Sequence, residues 1–247
     1  MIVAAAQISI NNSIEKNFEK IVSFIDKAKE NSCDIICFPE MSLTGYNKEV
    51  LSDINLNNKI NNYLYTIQEI SNKNQIAVII GYGYIENGSL KNRAGIILPN
   101  KDVVTYDKIN LTNLESQFFS SGEKVVSFEY KGVKCGVIIC RDQNYPLITH
   151  KLQQEGVKVL FILTAHYYNP KEARWKIEKN RAIPITRAVE NKFYVVLANT
   201  IGTHIGMISL GNSLIIEPEG NVVVSAGESE EALLCYELQM TNISQYI

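Results

Sequence analysis

The sequence predicts an α/β protein: a single domain over residues 1–247 in which two β-sheets pack face to face and helices cover each outer side, an α-β-β-α sandwich. Three observations lead there. Short apolar, β-rich runs outnumber helical patterns, amphipathic helical patterns nevertheless occur in both halves, and no Pro/Gly/Ser-rich linker or change of composition divides the chain. With 46% hydrophobic and 20% charged residues, the chain has the make-up of an ordinary globule long enough to bury a large core.

Residues 2–9 (IVAAAQIS) are an apolar run of strand length, and Asn12 followed by Glu15 signals a helix N-terminus. Ile14, Phe18, Ile21, Val22, Ile25 and Ala28 then recur on one helical face, opposite Lys, Glu and Asp, so this helix is expected to lie outside a sheet. Asp34 to Phe38 forms a second short strand that Pro39 ends, leaving Glu40 just beyond it. After an asparagine-rich loop, residues 59–72 read as a second amphipathic helix. From 76 to 107 the period shortens: Ile76–Gly81, Arg93–Leu98 and Val103–Tyr106 are strands joined by turn-forming residues, and Lys108 follows the third. The polar segment 109–123 is long for a structureless connection, which predicts a functional loop.

Val125–Tyr130 and Val133–Ile139 read as a hairpin across Lys131-Gly132, and its second strand delivers Cys140. Residues 147–155 are expected to be helical, 157–163 to form a strand, and 171–190 to form a helix that Pro184 kinks or restarts. Trp175, with Arg174, is expected to pack a helix face against the sheet. Phe193–Ala198, Ser213–Glu217, Val222–Val224 and Ala232–Tyr236 complete the strands.

A formal charge of −2 and scattered lysines offer no broad basic field, so no nucleic-acid partner is expected. The N-terminus reads as a core strand without a basic leader, and no apolar run approaches the ~18 residues of a membrane helix. No membrane association and a cytoplasmic location are therefore expected. Five cysteines is an odd count, and Cys33, Cys37, Cys135 and Cys235 lie in apolar runs, the usage of reduced, buried thiols. Cys33 and Cys37 have no matching second pair, so no metal site is expected. Gly81-Tyr-Gly83 begins like a dinucleotide loop, but Glu86 stands at the third glycine position.

Glu40, Lys108 and Cys140 each sit directly after an apolar strand, where α/β proteins present side chains to a crevice. Chemically they form a complete set. A thiol near neutral pH needs a general base, which Glu40 supplies, and an ammonium at Lys108 would favour thiolate and stabilise an oxyanion, with the Arg141 backbone N–H as second donor. His150, His166 and His204 lack an orienting motif, so a Cys-His arrangement is disfavoured. Cys135, five residues before Cys140, is expected on the opposite strand face and inert. Taken singly, each residue has a plainer reading: a packed thiol, a loop carboxylate and a surface lysine.

The segments FPEMSLTGY (38–46), YDKINL (106–111) and GVIICRDQNYP (136–146) resemble, in order and context, the three motifs of the nitrilase superfamily of carbon–nitrogen hydrolases. Later segments, RAVENKFYVVLANTIG (187–202) and GNSLIIEPEGNVV (211–223), extend the resemblance over nearly the whole chain. It implies Glu40 as base, Lys108 as electrostatic partner, Cys140 as nucleophile, and Glu115 in support, orienting the lysine and the substrate amide; a helix-surface role is the alternative for Glu115. It also implies the α-β-β-α fold, pairing of two sandwiches into a four-layer homodimer or higher homo-oligomer, and no metal or organic cofactor. Tyr46, Arg141, Ala165 and His166 are the candidate substrate-binding residues. Arg187 and Glu190 are expected to form a structural ion pair or helix-end contact. Arg141 stands where relatives commonly carry an aromatic residue, and Leu147 where an acidic one is frequent.

The expected function is hydrolysis of a non-peptide C–N bond in a small linear amide or N-carbamoyl compound, through a thioester. Without the C-terminal extension common in filament-forming nitrilases, nitrile hydrolysis is the alternative, and a silent scaffold of the same fold is another. Arg141 and Arg174 could attract a carboxylate-bearing substrate such as a dicarboxylic acid monoamide.

Overall fold

The computed structural model describes residues 1–239. In chain order the elements are β1 (Ile2–Ser9), α1 (Ile14–Glu30), β2 (Ile35–Cys37), α2 (Lys48–Leu51), α3 (Leu56–Asn74), β3 (Ala77–Glu86), β4 (Ser89–Ile97) and β5 (Val104–Asp107). They continue with β6 (Val126–Tyr130), β7 (Val133–Ile139), α4 (Pro146–Gln154), β8 (Val159–Leu163), α5 (Pro170–Trp175), α6 (Ile177–Asn191) and β9 (Tyr194–Ala198). The last are β10 (Thr200–His204), β11 (Met207–Leu210), β12 (Leu214–Ile216), β13 (Val222–Ser225) and β14 (Ala232–Glu237).

Strand alternation sorts the apolar residues into layers. In β1, Val3 and Ala5 face the interior between the sheets, whereas Ala4, Ala6 and Ile8 meet α1 and α3 on the outside. In β7, Cys135, Val137 and Ile139 face inward and Ile138 faces α4 and α6. The result is the expected α-β-β-α sandwich. The first sheet runs β11-β10-β1-β2-β3-β4-β5 with β14 also paired to β1, and the second runs β13-β12-β9-β8-β7-β6. At the centre of each sheet lie three parallel strands, β1-β2-β3 and β7-β8-β9. The carboxyl ends of β2 and β8 meet across the sheets: the Glu40 N–H donates to Thr164 O at 3.3 Å.

Several local expectations are corrected. The cap of α1 is Ser13, whose hydroxyl accepts from the Lys16 N–H, because buried Ile14 already opens the helix and leaves Asn12 outside it. The 170–191 segment divides at Lys176, and Pro184 lies inside α6 without ending it. Trp175 is 74% exposed and does not pack on the sheet. The short helix α2 and the β10-β11 hairpin are additional to the sequence reading, and β3 runs on to Glu86. Cys135 and Cys140 pack against the same interior cluster, contrary to the expected opposite faces. Alternation fails there because Cys140 has left the strand, with φ at +45°. Among the described residues, no helix is long and apolar enough to cross a membrane.

Candidate active site

Glu40 is held by a tight turn after β2. Met41 has φ +54°, and Gly81 of β3 presses against this turn: a Cβ there would lie 2.5 Å from Met41 N and 2.7 Å from Pro39 O. Only glycine allows that approach. Lys108 follows β5, with its N–H donating to Asn92 O at 2.9 Å and its carbonyl accepting from the Gly122 N–H at 2.8 Å. Cys140 opens a single 3-10 turn, Cys140–Asn144, in a left-handed conformation unusual for a side-chain-bearing residue.

That turn is tied to the Lys108 loop by Asp142. Its buried carboxylate accepts from Tyr106 Oη at 2.7 Å, from the Asn110 N–H at 2.7 Å and from the Ile139 N–H at 3.3 Å. One side chain thus fixes the loop leaving the first sheet to the nucleophile turn of the second.

The Lys108 ammonium donates to Glu40 Oε1 at 2.7 Å and to Glu115 Oε1 at 2.6 Å. Asn92 Nδ2 adds a 2.8 Å bond to Glu40 Oε1, and Glu115 Oε2 accepts from the Thr112 N–H at 2.8 Å. The side chains of Glu40 and Lys108 are only 1% and 2% exposed, so these bonds operate almost without water. Glu40 Oε2 is buried and makes no hydrogen bond among the described residues.

Burial raises the pKa of Glu40 and outweighs the opposing pull of Lys108, while Glu115 raises it further. Burial disfavours the Lys108 charge, yet Glu40, Cys140 and Glu115 together hold its pKa above the ordinary lysine value. Glu115 is buried as well, but Lys108 keeps its pKa low. For Cys140, burial and the Glu40 carboxylate push the thiol up, against smaller downward pulls from Lys108 and the Ala165 backbone. Lys108 thus pulls towards thiolate, as expected, but burial and Glu40 outweigh it, in keeping with a thiol that needs a general base. Charge explains why. Glu40, Lys108 and Glu115 already sum to −1, and a thiolate would make −2 in a dry site. Moving the thiol proton onto Glu40 leaves the total at −1, so thiol deprotonation is electrostatically coupled to Glu40.

A cavity of about 1060 Å³ opens over these groups, and of the residues anticipated from sequence all but Arg174 line it: Glu40, Lys108, Glu115 and Cys140, with Tyr46, Arg141, Ala165 and His166. The His166 ring stacks on Tyr168, and burial lowers its pKa to about 3, so it is neutral. Arg174 lies elsewhere, paired with Glu228 at 2.9 Å; Lys176 and Lys179 line the cavity instead. Arg187 pairs with Glu190 and donates from Nε to Gln143 O, a structural role at the back of the nucleophile turn.

Asn92, Asp142 and His204 were not read as site residues from sequence. Asn92 gives no signal, being one polar residue inside β4, whereas Asp142 sits in the cysteine motif itself. His204 Nε2 accepts from the Tyr46 N–H at 2.9 Å and so positions the end of the first motif. Among the described residues no group of three or more His, Cys, Asp or Glu is placed to hold a metal ion.

The carbon-nitrogen hydrolase family profile matches residues 2–247. A nitrilase of Pyrococcus abyssi is 29% identical over 245 residues, covering 96% of this chain and 90% of that protein. A 2-oxoglutaramate amidase of Bacillus subtilis is 28% identical, covering 87% of this chain and 82% of that one. A glutamine-dependent NAD(+) synthetase of Acinetobacter baylyi is 27% identical over 94% of this chain, which spans only 43% of the synthetase. In structure, an amidase from Nesterenkonia sp. AN1 superposes with a TM-score of 0.86 at 19% identity over 97% of this chain and 94% of the amidase, a likeness of fold. Matched along its length by the family profile and folded as these relatives are, the chain belongs to the carbon-nitrogen hydrolases, the enzymes of the nitrilase superfamily.

Proposed function

We propose that the protein hydrolyses the C–N bond of a small linear amide or N-carbamoyl compound through a covalent intermediate on Cys140. One observation carries this reading: the buried Glu40–Lys108–Glu115 chain of charged bonds opens onto the same cavity as the partly exposed Cys140. In the first step the Cys140 sulfur bonds to the substrate carbonyl carbon as its proton passes to Glu40. The oxyanion so formed is stabilised by the Lys108 ammonium and the Arg141 backbone N–H. Collapse breaks the C–N bond, and the Glu40 proton leaves with the amine as ammonia. Water, deprotonated by Glu40, then attacks the thioester, and the C–S bond breaks to restore the thiol.

Glu115 acts by holding Lys108 in place, and Tyr46, Ala165 and His166 shape the wall around the acyl group. No cofactor takes part. The enzyme works as a homodimer or higher homo-oligomer. The Pyrococcus abyssi relative supports nitriles as a second substrate class. The test is to incubate the protein with ω-amides, N-carbamoyl amines and nitriles, following ammonia and intact mass. A Cys140-linked acyl adduct and ammonia from amides are expected, and Cys140→Ala should lose both. An adduct-free protein that releases no ammonia from any compound would leave the scaffold reading in its place.

A further inference from the structure

The cavity wall divides by charge. Glu40 and Glu115 are its only carboxylates among the described residues, and both are bonded to Lys108. Every other charged residue on the wall is a cation: Lys48, Arg141, Lys176 and Lys179. Composition does not explain this, since the chain has 26 acidic residues against 24 Lys and Arg. Lys176, Lys179 and Ile183 lie three and four residues apart, so one face of α6 and its preceding residue is turned to the cavity.

Three of these cations, Lys48, Lys176 and Arg141, are held in place without being fully neutralised. Lys48 Nζ sits 4.6 Å from the Phe118 ring centre, and Lys176 Nζ sits 4.3 Å from that of Tyr168. Lys176 also meets Glu172 at 3.4 Å. Arg141 follows the nucleophile directly; its Nη2 donates to Tyr145 Oη at 3.3 Å, while its buried Nε makes no hydrogen bond among the described residues. A buried guanidinium N–H without an acceptor is costly to leave unpaired.

We propose that Arg141, with Lys179 and Lys176, forms a carboxylate subsite, so that the preferred substrate is an amide whose acyl part bears a free carboxylate. The inference rests on the amide-hydrolysis reading above and narrows its substrate. A planar carboxylate matches the guanidinium fork, and the lysines supply a surrounding field of the right sign. It would be held on the side of Arg141 while its amide carbon meets Cys140.

The experiment compares glutaramate with pentanamide, which lacks the carboxylate, and measures protection of Cys140 from iodoacetamide by sodium glutarate against sodium chloride at equal ionic strength. Glutaramate is expected to exceed pentanamide in kcat/KM by about 10- to 100-fold, the range of a hydrogen bond to a charged group. Arg141→Gln should shrink that ratio about tenfold, Arg141→Lys should restore part of it, and glutarate should slow alkylation of the wild type more than of Arg141→Gln. Equal kcat/KM for both amides, with no protection by glutarate, would overturn the subsite. Protection without ammonia from either amide would keep the subsite and overturn amide hydrolysis.

A separate observation concerns two thiols the site does not use. Cys33, buried in the turn between α1 and β2, donates to Cys235 Sγ of β14 at 3.3 Å across 202 residues of chain. Cys235 is partly exposed, and the bond from Cys33 lowers its pKa. We infer that this pair closes to a reversible disulfide with small-molecule disulfides such as oxidised glutathione. The Cys235 thiolate attacks one glutathione sulfur and expels a first glutathione thiolate; Cys33, losing its proton, then attacks the Cys235 sulfur and expels the second. The two protein thiols are thereby oxidised by two electrons and one disulfide is reduced to two thiols.

Peptide mapping after oxidised-glutathione treatment should show a Cys33–Cys235 crosslink and a Tm raised by several degrees, both reversed by dithiothreitol. Cys33→Ser should instead trap glutathione on Cys235. A wild-type protein in which Cys33 remains fully alkylatable after unfolding would overturn the inference.

Discussion

Burial raises the proton affinity of Glu40 while the Lys108 ammonium at 2.7 Å lowers it, and burial prevails. A base must be ionised to act, so the acid limb of kcat/KM is expected above the ordinary glutamate value of about 4.3. Glu115 contributes to that elevation through its negative charge. Glu115→Gln should therefore move the acid limb to lower pH while reducing kcat/KM by about 10- to 100-fold through the loosened Lys108. A pH–rate profile checks both; a limb that moves upward would mean that Glu115 does not act through its charge. Glu40, Lys108 and Cys140 were legible because each interrupts an apolar pattern at a strand end. Asn92 was not, since its bond to Glu40 arises from the pairing of β3 with β4 and β5 rather than from any local pattern. Lys176 and Lys179 were hidden for the opposite reason, as polar helix residues ordinarily face water.

The turn that presents Glu40 exists because β3 offers no side chain at Gly81. Gly81→Ala would place a methyl 2.5 Å from Met41 N and 2.9 Å from Glu40 Cα, contacts to backbone that no rotamer relieves. A loss of about 1–3 kcal/mol in urea unfolding is expected, with a larger fractional loss of activity than of stability. Gly122, where a Cβ would meet Asp107 O at 2.1 Å, should behave alike for the Lys108 segment. Gly83→Ala is the control, because its Cβ would lie 2.5 Å from a flexible Leu51 methyl and away from the Glu40 backbone. The long periodic elements, α1 and the buried central strands, were readable from alternation and the helical repeat. β10 and β11 were not: each is short and carries polar residues, β10 owing its form to pairing of Thr200 and Ile201 with Ile8 and Ser9 of β1, and β11 to pairing with β10. Pro184 misled because α6 tolerates it within the helix, while the chain bends at Lys176.

Across the whole molecule, the site depends on two sheets keeping their register, and Asp142 is the side chain that bonds both at the site. It receives Tyr106 and Asn110 from one side and Ile139 from the other. Asp142→Ala leaves those buried donors unpaired, and a loss of about 2–4 kcal/mol is expected, with Tyr106→Phe milder. Chemical denaturation would show it; an unchanged midpoint would mean that packing and the bonds of Gln7 and Tyr236 to the second sheet align the sheets without Asp142. The layered plan was legible from the count and spacing of apolar runs, but the pairing order was not, because it joins residues far apart in the chain. β1 shows how far. Its residues Ile2 to Gln7 pair with Glu237 to Ala232 of β14, so the first described strand is flanked by the last described one. During translation β1 must wait for some 230 later residues, holding an unpaired row of N–H and C=O groups all the while. The first sheet therefore completes only once β14 is available, and a nascent chain halted before residue 232 should require chaperone cover that a chain including β14 does not.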